Sequence, residues 1–121
     1  MEFIAKNDIR AFANPGVTSH QLLNPDNSSS ERITITRVVV EPGAEQPRHT
    51  HPTSEQIWIA IAGEGTLLLA GDAERSFRAG DVARFADGDV HGLVNRSGAA
   101  FEYISVTSPP INFKAAYAKK S

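Results

Sequence analysis

Residues 43–63 read GAEQPRHTHPTSEQIWIAIAG, and residues 80–95 read GDVARFADGDVHGLVN. The first stretch carries His49 and His51 with a single residue between them. Side chains alternate along an extended strand, so residues at i and i+2 share a face. Neutral imidazole is the commonest metal ligand in proteins, and two such rings side by side suit a divalent ion. Pro52-Thr53-Ser54 then turns the chain, and Glu55-Gln56 opens another strand with a carboxylate and an amide carbonyl on offer. In the second stretch His91 follows the Asp87-Gly88 turn. A neighbouring strand of a barrel would carry it to the pair.

Outward from these stretches, turn signals recur through most of the chain: Asn24-Pro25-Asp26-Asn27, Pro42-Gly43, Gly63-Glu64-Gly65, Gly71-Asp72, Ala79-Gly80-Asp81, Asp87-Gly88-Asp89 and Asn95-Arg96-Ser97-Gly98. Between them lie short runs rich in β-branched and aliphatic residues: Ile33 to Glu41, Gln56 to Ala62, Thr66 to Ala70, Val82 to Phe85, Val90 to Val94 and Phe101 to Val106. Short strands at regular spacing with glycine-rich turns predict an all-β sandwich or barrel. Gly43, Gly63, Gly80 and Gly88 read as turn glycines at positive φ. The polar, serine-rich piece from Asn24 to Glu31 reads as a mobile hairpin loop within the domain. At the C-terminus, Asn112 to Lys119 predicts a short helix or tail with Asn112 as its N-cap.

A length of 121 residues allows one domain, 1–121, and is short for two. Apolar residues make up 40% of the chain, an ordinary globular share. With a net charge of -2 and no basic stripe, nucleic acid and anionic membrane surfaces are poor partners. No stretch approaches the length of a membrane span, and no signal peptide is evident at the N-terminus. The absence of cysteine excludes disulfides, thiolate metal sites and Cys nucleophiles, and fits a cytoplasmic protein.

The glycine and histidine frame supports a resemblance. Five residues separate Gly43 from His49, four separate His51 from Gln56, and six separate Gln56 from Gly63. Two residues separate Gly88 from His91, and three separate His91 from Asn95. The two stretches resemble, in order, the two motifs of the cupin superfamily, with the 16-residue gap between Gly63 and Gly80 that small bacterial cupins show. The usual proline of the second motif is Ala86 here. The resemblance covers about residues 30–108 and implies a jelly-roll (double-stranded β-helix, RmlC-like) barrel. It also implies one divalent transition metal ion, with Zn, Ni, Mn, Fe, Co and Cu all open. Carried over position by position, the family's ligands fall on His49, His51, Gln56 and His91. The third of these is usually a glutamate. Glu55 stands one residue earlier and would point to the opposite face of a regular strand, unless a bulge reverses it.

Three neutral imidazoles and a neutral amide leave the full double positive charge on an ion, which favours Lewis-acid chemistry over the oxygen chemistry that a carboxylate ligand supports. The expected function is that of a metal-dependent enzyme acting on a small polar organic substrate, isomerase- or lyase-like. The alternatives are a small dioxygenase and a non-catalytic small-ligand binder or sensor. The Gln-containing ligand set is similar to that of pectin-degradation cupins. Where those place an acidic and a basic residue, this chain offers Ser105 and Ile111, and no catalytic base is identified. Trp58 shares the predicted inward face of Gln56 and either walls the pocket or fills the core. Phe101 and Tyr103 alternate on a late strand and are further pocket candidates. His20 and Arg37 read as surface residues, and Asn95 as a residue bonding backbone. Ile57, Ile59 and Ile61 form a second apolar face on the Gln56 to Ala62 strand. That face suits a homodimer contact.

Overall fold

The computed structural model describes residues 1–111. The helix expected from Asn112 lies outside the described residues. Ten strands follow in order: β1 (Arg10–Asn14), β2 (Val17–Leu23), β3 (Thr34–Val40), β4 (Glu45–His49), β5 (Glu55–Ala62), β6 (Glu64–Leu69), β7 (Glu74–Arg78), β8 (Val82–Phe85), β9 (His91–Val94) and β10 (Phe101–Ser108). They form two antiparallel sheets. One has six strands in the order β1-β2-β3-β10-β5-β8, and the other has four in the order β4-β9-β6-β7. This is the all-β architecture that the turn spacing predicts and the jelly roll that the resemblance implies.

Period-two patterning decides what each strand buries. In β10, Phe101, Tyr103, Ser105 and Thr107 are buried while Glu102, Ile104, Val106 and Ser108 are half-exposed. In β5, Gln56, Trp58 and Ala60 turn inward. The inner faces of the two sheets meet in one apolar cluster that includes Val38, Val40, Trp58, Leu67, Phe77, Phe85, Leu93, Phe101 and Tyr103. Gly43, Gly63, Gly80 and Gly88 all take positive φ, as turn positions require. At Gly63 a side chain would also collide, since a Cβ would stand 2.5 Å from the Ala100 carbonyl oxygen.

Four strands are absent from the apolar runs in the sequence, for a common reason. β1 is an edge strand exposed along its whole length. β7 is also an edge strand and buries only Phe77. β2 and β4 are largely polar. A strand with one buried side chain or none leaves little trace in hydrophobic patterning. The segment from Asn24 to Glu31 is well anchored. Asn24 and Asn27 cap their own turn through side-chain oxygens, and the Glu2 carboxylate accepts bonds from the Ser28 hydroxyl and the Ser29 amide.

β7 and β8 diverge from the Ala79-Gly80-Asp81 turn into different sheets. A cavity of about 610 Å³ lies between them, lined by Leu67, Leu69, Phe77, Phe85 and the two arginines Arg75 and Arg84, among others. Phe85 is its shared wall with the histidine cluster described next.

Candidate metal centre

The four-stranded sheet and the inward face of β5 bring three imidazoles and one amide together. β4 and β9 pair so that Gln46 faces Leu93 and His49 faces His91. Two residues of β4, Pro47 and Arg48, thus stand opposite the single residue Gly92. This is a β-bulge, which re-aims the strand beyond it. Without the extra residue Arg48 would face His91, and His49 would point to the opposite side. Gly92 permits the bulge, because a Cβ there would lie 2.7 Å from the Gln46 carbonyl oxygen and 2.9 Å from the Arg48 nitrogen. β4 ends at His49, so His51 lies past the strand. The regular strand expected through both histidines gives way to a bulge, a strand end and a loop. That loop is held against the second motif where the Gly88 N–H donates to the His51 carbonyl at 2.9 Å.

The rings of His49 and His91 have centroids 4.2 Å apart, with His51 at 4.9 Å from His49 and 5.1 Å from His91. One nitrogen from each ring lies within 4.8 Å of the others. Among the described residues no carboxylate joins this group. His91 is buried, His51 half-buried and His49 exposed, so the cluster opens from the barrel interior toward solvent. Burial, reinforced by the neighbouring rings of His49 and His91, pushes the His51 pKa down to about 4. Burial also brings His91 down to about 4, against an opposing contribution from the Asp89 carbonyl. Both rings are therefore neutral at pH 7, the form that binds metal.

Backbone carbonyls orient two of the rings from the residue two positions earlier. His49 Nδ1 lies 2.9 Å from the Pro47 oxygen, and His91 Nδ1 lies 2.9 Å from the Asp89 oxygen. A carbonyl only accepts, so these contacts favour the tautomer with the proton on Nδ1 and the lone pair on Nε2. This is the arrangement by which outer groups fix the tautomer of metal-binding histidines.

Gln56 sits beside His91, 6% exposed. Its Nε2 donates to Thr107 Oγ1 at 3.0 Å, and its Oε1 accepts from Trp58 Nε1 at 3.0 Å. The same Oε1 stands 3.1 Å from His91 Nε2. A neutral imidazole has one proton, yet both nitrogens of His91 face oxygen acceptors. One proton cannot serve both, so one of the two contacts is lone pair to lone pair; with the proton on Nδ1, a cation between Nε2 and Oε1 relieves it. Two donors at about 3 Å are spaced as neighbours around an ion with bonds of about 2.1 Å. The donor set thus fits a divalent ion. Glu55 is on the other face of β5, where its carboxylate pairs with Arg84 at 2.8 Å.

The other candidates are placed as follows. Trp58 is 2% exposed, and its ring meets His91 at 5.4 Å and Tyr103 at 4.4 Å. Tyr103 donates to Gln46 Oε1 at 2.7 Å, and burial raises its pKa, so its hydroxyl stays protonated. Phe101 is fully buried between Phe77 and Tyr103. None of these three aromatics lines the cavity between β7 and β8. Asn95 is buried and donates to the Val40 and Ala99 carbonyls. Arg37 is on the outer face of the six-stranded sheet, bonded to Glu102 at 2.6 Å, with His20 opposite it on β2. Burial and then the Arg37 charge lower the His20 pKa.

Three contributors escaped the sequence reading. Thr107 holds the Gln56 amide, and Phe85 stacks on His91 with ring centroids 4.6 Å apart and planes 14° apart. Gly92 admits the bulge. An isolated glycine within a strand run was the available signal, since it marks a bulge or a close backbone approach.

A family model described as a cupin domain matches residues 36–107, more than half of the chain. The chain belongs to the cupin family. Solved structures share this fold. The structure of KdgF from Halomonas sp. superposes with a TM-score of 0.77 at 19% identity, covering 93% of this chain and 98% of that one. The polyketide cyclase RemF from Streptomyces resistomycificus gives 0.77 at 22% identity, covering 91% of this chain and 80% of that one. A cupin-superfamily sugar phosphate isomerase from Silicibacter pomeroyi gives 0.70 at 26% identity, covering 79% of this chain and 61% of that one. No curated protein matches the sequence. Among the described residues of this cupin, no helix is long and apolar enough to cross a membrane.

Proposed function

We propose that His49, His51, His91 and the Gln56 amide oxygen hold one divalent transition metal ion, and that this cupin is a metal-dependent enzyme acting on a small polar organic substrate, isomerase- or lyase-like. The observation that carries the reading is the convergence of three imidazoles on one point, beside a 3.1 Å approach of His91 Nε2 to Gln56 Oε1 that leaves one ring proton facing two oxygen acceptors. When bound, such an ion polarises a carbonyl or hydroxyl oxygen, or makes water a stronger acid. The chain's own part is to supply four neutral donors. His51 and His91 resist protonation, and the Pro47 and Asp89 carbonyls hold the His49 and His91 rings in the donor tautomer. Neutral donors leave the ion's charge undiminished, which favours Lewis-acid work. With Glu55 bound to Arg84 on the opposite face, oxygen chemistry that leans on a carboxylate ligand draws no support here. That one neighbour in fold, at 26% identity, is a sugar phosphate isomerase agrees with the isomerase-like reading.

Elemental analysis of the purified protein tests the centre. About one transition metal per chain is expected, sharply reduced in Gln56→Ala and His91→Ala and retained in Glu55→Ala. Loss of metal in Glu55→Ala with retention in Gln56→Ala would reverse the assignment. Oxygen uptake by the iron- or copper-loaded protein would replace the Lewis-acid reading with that of a dioxygenase. Saturable ligand binding with no turnover of any candidate substrate would instead favour a binding or sensor protein.

The reading extends to a homodimer in the cytoplasm. Ile59 and Ile61 are 37% and 44% exposed on the outer face of β5, and Val82 on the adjacent β8 is 64% exposed. Isolated large apolar side chains on a surface are ordinary, but a row across paired strands suits a second copy. Sedimentation equilibrium is expected to give twice the chain mass for the wild type and the chain mass for Ile59→Lys. A monomeric wild type would refute the pairing.

A further inference from the structure

The geometry points to Trp58 as the residue that decides which end of the Gln56 amide faces the metal centre. This rests on the metal-centre reading above and adds a positioning role within it. A glutamine amide has an oxygen at one end and an NH₂ at the other, nearly the same shape, and only the oxygen can donate electrons to an ion. An indole Nε1–H is a donor with no acceptor capacity. It stands 3.0 Å from one end of the amide, so that end must be the oxygen. The other end then donates to Thr107 Oγ1. All three residues are buried, Trp58 at 2%, Gln56 at 6% and Thr107 at 1% exposed, so water cannot substitute for either partner. An amide turned the other way would set N–H against N–H at the indole, at the full cost of two buried donors without acceptors.

Without the indole donor, the opposite orientation becomes the better one for the free protein. The NH₂ would then donate to the His91 Nε2 lone pair at the same 3.1 Å position. That would remove two ligand atoms at once, the amide oxygen by rotation and His91 Nε2 by hydrogen bonding. Trp58 thus prevents the centre from satisfying itself internally and keeps two electron pairs aimed at one point. A carboxylate at position 56 would need no such control, because both of its ends are oxygens.

That symmetry supplies the test. Zn²⁺ affinity is measured at pH 7 by competition with a chromophoric chelator, on the full chain, for wild type, Trp58→Phe, Gln56→Glu and the double variant. Trp58→Phe is expected to weaken Zn²⁺ binding about 10–100-fold, the usual cost of removing a group that orients a ligand. In the Gln56→Glu background the same change is expected to cost about 3-fold or less. Equal losses in both backgrounds would mean that Trp58 acts only through packing, and would overturn the inference. Should Trp58→Phe fail to fold by circular dichroism, Thr107→Val probes the opposite end of the amide. It is expected to weaken binding about 3–10-fold, again only with glutamine at position 56, and an equal loss beside Gln56→Glu overturns the inference in the same way. A wild-type protein that binds no Zn²⁺, Ni²⁺, Mn²⁺, Fe²⁺, Co²⁺ or Cu²⁺ would overturn the metal centre itself, an outcome distinct from equal losses in a protein that binds.

Discussion

Along β10 the inward side chains change from Phe101 and Tyr103 to Ser105 and Thr107. Along β5, its antiparallel neighbour, they change from Ala60 and Trp58 to Gln56. The same strands therefore build both ends of the barrel interior. One end is closed by Phe77, Phe101, Leu93 and Val40, all nearly or wholly buried. The other carries the three imidazoles, the Gln56 amide and a row of hydroxyls. Trp58 lies at the boundary, with its ring on Tyr103 and its N–H on Gln56. The apolar end gains stability by removing hydrocarbon from water. The polar end keeps neutral histidines out of water without burying a compensating charge, which opposes folding as the pH falls. The contrast indicates that one end holds the fold while the other carries the candidate metal centre.

Four changes would break or sharpen this contrast. The largest effect is expected from Phe77→Ala at the apolar end, about 3–5 kcal/mol of lost stability by denaturant unfolding, with metal stoichiometry unchanged in the molecules that remain folded. Loss of metal binding from an intact fold would mean that the two ends are not separable. Next in size is acid. His51 and His91 titrate near 4 in the fold and near 6.5 when unfolded. Between those values the unfolded chain takes up protons that the folded one refuses, so stability contributed above pH 6.5 is lost as pH falls toward 4. Thermal unfolding of the metal-free protein should show a falling midpoint across that window, and His91→Ala should flatten the slope. An unchanged slope in that variant would remove the polar end from the account.

Gly92→Ala is expected to cost at least about tenfold in metal affinity together with about 1–3 kcal/mol of stability, because the methyl would meet backbone atoms that must shift. The added methyl would press on the Pro47–Arg48 bulge that aims His49. Retained affinity would show that the bulge tolerates the shift. The smallest effect is at Thr34, whose buried Oγ1 has no hydrogen-bond partner among the described residues. Replacing that hydroxyl with a methyl in Thr34→Val should stabilise the protein by about 1 kcal/mol. A destabilised variant would imply that the hydroxyl has a partner such as water or substrate.

Much of the architecture was legible because strands with one buried face write a two-residue period into the chain. β3, β5, β6, β8, β9 and β10 carry that period or a short apolar run, and several of their turns carry glycine. β1, β2, β4 and β7 were not legible, since a strand with at most one buried side chain draws its stability mainly from backbone pairing, which leaves little trace in the side chains. At the site, the motif spacing pointed to His49, His51, His91 and Gln56 as a group, and alternation put Glu55 on the face opposite Gln56. The roles of Thr107 and Phe85 were hidden, because each acts through a contact with a residue remote in the chain.

The sequence by itself determined the alternation that turns Gln56 and Trp58 inward, the turn glycines, and the absence of any thiolate ligand. These are local properties, set by the φ/ψ preference of a residue or by the chemistry of its side chain. Tertiary structure alone decided that His49 faces His91, since this depends on two residues of β4 crowding against one glycine of β9. It also decided that the Gln56 oxygen, not its nitrogen, meets His91, because the Trp58 indole N–H can only donate, while the hydroxyl of Thr107, 51 positions away, takes whichever end is left. A hydrogen bond's direction belongs to the pair of groups that make it, and pairs exist only once the chain has folded.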